Sequence, residues 1–99
     1  MNIKGIWETR EVLINDIPLP PAHSQRVFNH SPDGFSWGYS GSGPAQLALA
    51  ILLLATSETN AVRLHQVFKR EVIAPLPQLD DFEIEIDIAQ WIQNQKVGI

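Results

Sequence analysis

Hydrophobic and polar positions along the chain predict two long helices. Residues 47–55 are apolar around the whole circumference of a helix, whereas a surface helix is apolar along one stripe only. Pro44, which suits the first position of a helix, stands just before this run. We therefore predict a central helix over residues 44–56. A second helix is predicted over residues 58–73, because apolar side chains recur there at intervals of three and four residues.

Period-two alternation predicts the strands. Residues 82–87, Phe-Glu-Ile-Glu-Ile-Asp, alternate strictly and predict a half-buried strand. Residues 3–14 are rich in β-branched and aromatic side chains and predict one bent strand, or two short ones broken near Thr9 and Arg10. The turn motif Ser-Pro-Asp-Gly at 31–34, followed by Phe-Ser-Trp-Gly-Tyr-Ser, predicts a hairpin over about residues 25–40.

These elements predict a single α+β domain over residues 1–99, a length that suits one domain. A small, mostly antiparallel sheet would combine the hairpin with the N-terminal and C-terminal strands and pack on the helix over 44–56. The helix over 58–73 would lie beside it, and residues 88–96 predict a short C-terminal helix. The pattern leaves the strand order and the oligomeric state open.

Charge and composition exclude several classes of function. Eleven acidic and seven basic residues give a net charge of -4, so a broad basic face for binding duplex nucleic acid is not expected. The absence of cysteine excludes disulfides and thiolate chemistry. The N-terminus lacks the apolar core of a signal peptide, and the apolar run 47–55 is shorter than the roughly 20 residues that span a bilayer. We expect a cytoplasmic protein without a membrane segment.

The Gly-Ser-Gly-Pro sequence at residues 41–44, called the hinge below, is the first candidate site. Glycines and a helix N-terminus can present backbone N–H groups to an anion. However, Pro44 removes one donor, no basic residue is near in sequence, and the phosphate-loop pattern is absent. A purely structural corner between a strand and a helix is therefore favoured over a ligand site. The ligand-binding hypothesis assigns the site to Asn29, His30, Tyr39, Ser40, Gly41, Ser42, Gly43 and Gln46.

Other polar groups are weaker candidates. The cluster of His30 with Ser31 and Asp33 invites a catalytic interpretation, but neighbours in a strand point to opposite faces and no G-x-S-x-G motif exists. We favour turn hydrogen bonds for these side chains. The three histidines are scattered in sequence, so neither a metal nor another cofactor is expected. The alternating aromatic residues of 35–39 could stack a ring but more often form a core face.

Five carboxylates fall within the eight residues 80–87 and form an acidic row. Their alternation indicates the solvent face of a strand rather than a catalytic pair. An acidic row can also attract a basic partner, and for this row the structural and the partner-binding interpretations are about equally favoured.

The segment NHSPDGFSWGYSGSGPAQLALAIL, which begins at Asn29, resembles the signature NHSPxGFxWGYxGSGPAQLALAIL of a small uncharacterised domain family. Members of that family are short proteins of bacteria, phages and plasmids. A looser likeness covers FKREVIAPLP and a final I-x-x-W-I. The resemblance implies a shared fold and a shared special use of residues 29–46. It supplies no activity, and its mobile-element setting makes a host-directed, defence-inhibiting role an expectation by analogy.

Three functions remain open at this point. The leading one is a non-enzymatic binding module for a protein partner or a small anionic ligand, working at the hinge. The second is a small-molecule or nucleotide-processing enzyme that uses His30 as acid–base and the hinge as an anion cradle. The third is a structural subunit of a homo-oligomer.

Overall fold

A computed structural model describes residues 1–97 and confirms the α+β class. Its four strands form one antiparallel sheet in the order β3-β2-β1-β4. Four α-helices and one π-helical segment make up the other regular elements of residues 1–97. The strands are β1 (Asn2–Ile6), β2 (Glu11–Ile14), β3 (Ile17–Pro18) and β4 (Phe82–Glu85); the helices are α1 (Ala22–Val27), α2 (Ser42–Ala55), α3 (Glu58–Phe68) and α4 (Ile88–Val97), with the π-helical turn over Lys69–Ile73.

The N-terminal segment forms two strands, as one of the two alternatives predicted, and a third short strand follows. Asn15 and Asp16 connect β2 to β3, and both have positive φ, at 49° and 68°. Two left-handed residues in succession are the signature of a two-residue type I′ hairpin turn, for which asparagine and aspartate are suited. The pairing of β2 with β3 thus owes its register to a local turn.

The sheet and α2 share one hydrophobic core. Ile3 pairs with Ile14 on β2 and with Ile84 on β4, which places apolar residues side by side on the inner face. The fully buried Ile3 and Val12 belong to the same apolar cluster as the residues of α2. Because α2 also contacts α1, α3, the π-helical turn and α4, its residues 43–52 are buried all round. The prediction of a central apolar helix is confirmed, with bounds shifted by one or two residues.

The helix predicted over 58–73 is present, but its last turn is π-helical. The backbone N–H of Ala74 donates to the carbonyl oxygen of Lys69 at 2.8 Å, a hydrogen bond that spans five residues. Ala61, Leu64 and Phe68 are buried as expected. Glu71 of the π-helical turn is exposed and accepts a hydrogen bond from the indole Nε1 of Trp91 at 3.0 Å.

The hairpin predicted over 25–40 is wrong. Its first part is the helix α1, which begins directly after Pro21, a residue with the helix-compatible φ of -75°. The part that follows, up to the start of α2, has no strand. The Ser-Pro-Asp-Gly turn itself is confirmed: the N–H of Gly34 donates to the carbonyl oxygen of Ser31 at 3.2 Å, and Gly34 has a φ of 106°.

Trp37 anchors this irregular segment on the sheet. Its ring is fully buried and makes edge-to-face contacts with Trp7 and Phe82, at centroid distances of 5.7 Å and 4.8 Å. The indole Nε1 donates to the carbonyl oxygen of Asp80 at 2.9 Å. A Cβ atom added to Gly5 of β1 would lie 2.8 Å from the Trp37 ring, so glycine at that position permits the close approach.

Candidate functional site

The side chain of Gln46 holds the segment that carries most of the predicted site residues. It is fully buried on α2. Its Oε1 accepts hydrogen bonds from the backbone N–H groups of His30 at 2.8 Å and Ser31 at 3.0 Å. Its Nε2 donates to the Oγ of Ser24 at 2.9 Å and to the carbonyl oxygen of Phe28 at 3.1 Å. Both carboxamide protons and both oxygen lone pairs are therefore used internally, so the contacts of Gln46 are structural.

The hinge brings the chain into α2 through two close contacts. Gly41 precedes the helix, and a Cβ atom there would lie 2.5 Å from the Tyr39 ring. A Cβ atom on Gly43 would lie 2.6 Å from the Cβ of Ser36. No side chain caps the N-terminus of α2, and its first turn contains no acidic residue. The two glycines let the loop lie directly against the helix start.

The remaining predicted site residues are near one another in sequence but face solvent. Asn29, Ser40 and Ser42 are exposed, and Tyr39 is 42% exposed. Their hydroxyl and amide groups are available to a ligand at the surface. Pro44 and Gln46 supply no further donor, because proline lacks an N–H and the glutamine is fully used.

Tertiary structure brings two histidines together that are 35 residues apart in sequence. The Nε2 atoms of His30 and His65 are 2.9 Å apart, and their rings are tilted by 44°. His30 also stacks on the exposed ring of Phe28, with centroids 4.2 Å apart. His65 lies on α3 and is 4% exposed. The scattered positions of the histidines in sequence did not predict this pair, although position 65 falls on the buried stripe of Ala61, Leu64 and Phe68.

Hydrogen-bond partners determine the tautomers of the neutral pair. The Nδ1 atom of His65 lies 2.6 Å from the carbonyl oxygen of Val62, which can only accept, so Nδ1 carries the proton. The Nε2 of His65 is then an acceptor, and the Nε2 of His30 donates to it. The Gln66 carboxamide also lies 3.3 Å from this atom. Burial, His65 and Lys69 together hold the pKa of His30 below its ordinary value.

Four carboxylates of the acidic row make contacts with other residues of the chain, and binding of a basic partner stays a prediction. Glu85 pairs with the N-terminal amine at 3.0 Å, and Glu83 lies 3.9 Å from Lys4. Asp81 accepts from the backbone N–H of Trp7 at 2.7 Å. Asp87 accepts from the N–H of Gln90 in the first turn of α4 at 3.0 Å. These four carboxylates therefore have partners within the chain.

An apolar groove opens where α2 reaches the surface. Two adjoining depressions of about 340 Å³ and about 320 Å³ share Leu19, Pro20 and Leu54. Leu54 is 55% exposed and Ile17 is 69% exposed. We call this surface the α2 groove; its further lining residues are Ile14, Asn15, Pro18, Ala22, His23, Ser24, Arg26, Ala50 and Leu53.

A more polar depression of about 360 Å³ also borders the proline segment, residues 18–21, and includes Arg10, Glu11 and Asp33. The guanidinium of Arg10 sits 3.2 Å from the centroid of the Trp7 ring and donates to the Trp7 carbonyl oxygen. Its charge is thus already engaged, and two carboxylates share the depression. This surface is poorly matched to an anion.

Among residues 1–97, no helix has the length and apolar character needed to cross a membrane. The same residues contain no group of three or more histidine and carboxylate side chains arranged around a common metal position. No curated protein and no solved structure matches the chain. The expectation of an uncharacterised domain family is confirmed, since a family model matches most of the sequence. The chain belongs to the family of unknown function DUF6166, whose model covers residues 6–94.

Proposed function

We propose that the protein is a small non-enzymatic binding module that docks an amphipathic helix of a protein partner in the α2 groove. The observation that carries this proposal is the exposure of Leu54 and Ile17 beside one continuous apolar depression. Large apolar side chains that cluster on a surface mark interaction sites more often than singly scattered ones do. The exposed apolar surface at the C-terminal end of α2 then serves to bind the partner.

The proline segment favours a helix over a strand as the occupant. Ile17 and Pro18 form the edge strand of the sheet, where an incoming strand would normally pair. Pro18, Pro20 and Pro21 have no backbone N–H and cannot supply the donors that such pairing requires. A partner must therefore recognise this surface through side chains inserted between α1, the prolines and α2.

Charge complementarity specifies the partner further. Arg26 is the one permanently charged residue of the groove lining, and no carboxylate lines it. Within residues 1–97, Arg26 forms no ion pair. The partner helix should thus combine apolar residues at intervals of three and four with an acidic residue placed to reach Arg26.

The family resemblance bears on the biological setting of this function. The resemblance to short phage and plasmid proteins supports a role as a mobile-element accessory protein that binds a host protein in the cytoplasm, including a host-defence inhibitor. The structural uses of Gln46 and of the hinge glycines favour a protein partner over a small anionic ligand.

The proposal can be tested with helical peptides displayed on phage, selected on the wild-type protein and counter-selected on Leu54→Asp. Enriched sequences should share an apolar i, i+3/i+4 face and a neighbouring acidic residue. Fluorescence anisotropy with the best peptide should show binding weakened by at least about tenfold in Leu54→Asp. Arg26→Glu should also weaken binding, because it reverses the charge at the rim.

Val62→Asp is the matched control. Val62 is an exposed apolar residue of α3 outside the groove, 37% exposed, and receives the same substitution. It should bind the peptide as the wild type does. The proposal fails if no helical family is enriched, or if Leu54→Asp and Val62→Asp bind equally well.

A further inference from the structure

We infer that His30 and His65 form a binding site for a late first-row divalent transition metal of the Cu²⁺ or Ni²⁺ type, held by their two Nε2 atoms. The histidines come from different elements, the loop after α1 and helix α3, and meet through tertiary packing. The site lies apart from the α2 groove and is independent of the proposed peptide binding.

The distance between the nitrogen atoms suits two ligands of one ion. Imidazole nitrogens bind such ions at about 2.0–2.1 Å, so two of them stand about 2.9 Å apart at a ligand–metal–ligand angle of 90° and about 3.4 Å apart in a tetrahedron. The observed separation is 2.9 Å. Neighbouring positions of square-planar or octahedral coordination have the 90° angle, and Cu²⁺ and Ni²⁺ prefer these geometries.

The surroundings of His65 match those of a metal-binding histidine. Such residues usually donate their second ring N–H to a backbone carbonyl or a carboxylate, which fixes the tautomer and the ring orientation. His65 donates from Nδ1 to the Val62 carbonyl oxygen at 2.6 Å, so its Nε2 lone pair faces His30. The metal-binding tautomer of His65 is therefore already in place.

His30 needs a change of tautomer and a rotation of its ring, so that the two Nε2 lone pairs point to one ion instead of facing each other. Without metal, its Nε2–H donates to His65; with metal, the proton moves to Nδ1 and the Nε2 lone pair binds the ion. Both imidazoles stay neutral, so no net proton is released. The backbone of His30 is held by Gln46 at 2.8 Å, so the adjustment falls on the side chain.

Two imidazoles leave coordination positions open. The carboxamide of Gln66 lies 3.3 Å from the His65 Nε2, and turning it over would present its oxygen to the ion. Water would occupy the other positions. With two histidines and no acidic ligand, the site should bind a metal ion more weakly than a structural zinc site does. At the same coordination geometry, its affinity should be highest for Cu²⁺, lower for Ni²⁺ and lowest for Zn²⁺.

The test uses tag-free protein and ¹H–¹⁵N correlation spectra with sub-stoichiometric Cu²⁺, whose paramagnetism broadens nearby signals. Broadening should centre on residues 28–31 and 62–66. Calorimetry with Ni²⁺ should give one binding event. Both effects should be lost in His30→Ala and in His65→Gln, which avoids leaving a cavity at the more buried position. His23→Ala removes an exposed histidine outside the pair and should retain both effects.

The spectra also report folding, because well-dispersed signals in each variant show that the loss of metal binding is local. The inference is overturned if broadening centres on the N-terminal amine or on His23. It is equally overturned if His30→Ala binds Ni²⁺ as the wild type does, or if the wild type binds no metal.

Discussion

Gln46 on α2 holds the backbone of His30, with its Oε1 2.8 Å from the His30 nitrogen. This bond helps to join the central helix to the loop that positions the histidine pair. It also explains why the chain does not need a strand partner there, since the neighbouring Ser31 N–H and Phe28 carbonyl bond to the same side chain. The Gln46 side chain thus makes the hydrogen bonds to this loop that a second strand of a hairpin would make.

Gln46→Leu should lower the free energy of unfolding by about 2–4 kcal/mol. Leucine fills a similar volume but removes the Gln46 partner of the part-buried backbone N–H groups of His30 and Ser31, and each unsatisfied group costs about 1–3 kcal/mol. Urea unfolding followed by circular dichroism measures the loss. Gln93→Leu, an exposed position on α4, is the control and should change stability by less than about 0.5 kcal/mol. Equal effects of the two substitutions would contradict the structural role of Gln46.

Gly43→Ala should destabilise the protein although alanine is the better helix former. The new methyl group would lie 2.6 Å from the Cβ and 3.1 Å from the backbone nitrogen of Ser36. Overpacking of this kind costs about 1–3 kcal/mol, which exceeds the roughly 1 kcal/mol gained in helix propensity. Thermal and urea unfolding check the sign. Ser42→Ala, at the exposed neighbouring position, should be nearly neutral, and a stabilised Gly43→Ala would refute the tight contact.

Local patterns predicted much of this fold. The all-apolar run predicted α2, strict alternation predicted β4, and the Ser-Pro-Asp-Gly turn was recognised from its residue order. In these cases residues close together in sequence determine the local structure. The alternation of residues 35–39 wrongly predicted a strand. Phe35 and Trp37 are buried because a loop, not a strand, lies on the core.

The candidate sites were harder to predict because they depend on distant contacts. No local spacing links His30 to His65, and only the packing of the loop on α3 brings their Nε2 atoms together. The exposure of Leu54 was likewise hidden, because an all-apolar sequence does not reveal where a helix leaves the core. Whether the exposed hinge residues bind a ligand stays a prediction.

Leu54→Ala and Leu52→Ala should differ sharply. Leu52 is fully buried, and its truncation should cost about 2–5 kcal/mol, the transfer term plus the cavity term. Leu54 is 55% exposed, so its truncation to alanine should lower the free energy of unfolding by less than about 1 kcal/mol. Guanidinium unfolding of both variants provides the comparison. Similar losses would mean that the end of α2 is covered within the chain and would remove the basis for the α2 groove as a docking surface.

Stability should fall as the pH is lowered from 8 to 5 in metal-free buffer containing EDTA. The pKa of His30 in the folded protein is below its ordinary value of 6.5, first because of burial and then because of repulsion from His65 and Lys69. The unfolded chain therefore takes up a proton that the folded chain resists, so this residue weakens the fold progressively as the pH falls through 6.5. Urea unfolding at intervals of one pH unit should show a smaller decline in His30→Gln than in the wild type. Since glutamine keeps a polar group near His65 but does not titrate, parallel declines in the two proteins would show that other groups cause the acid sensitivity.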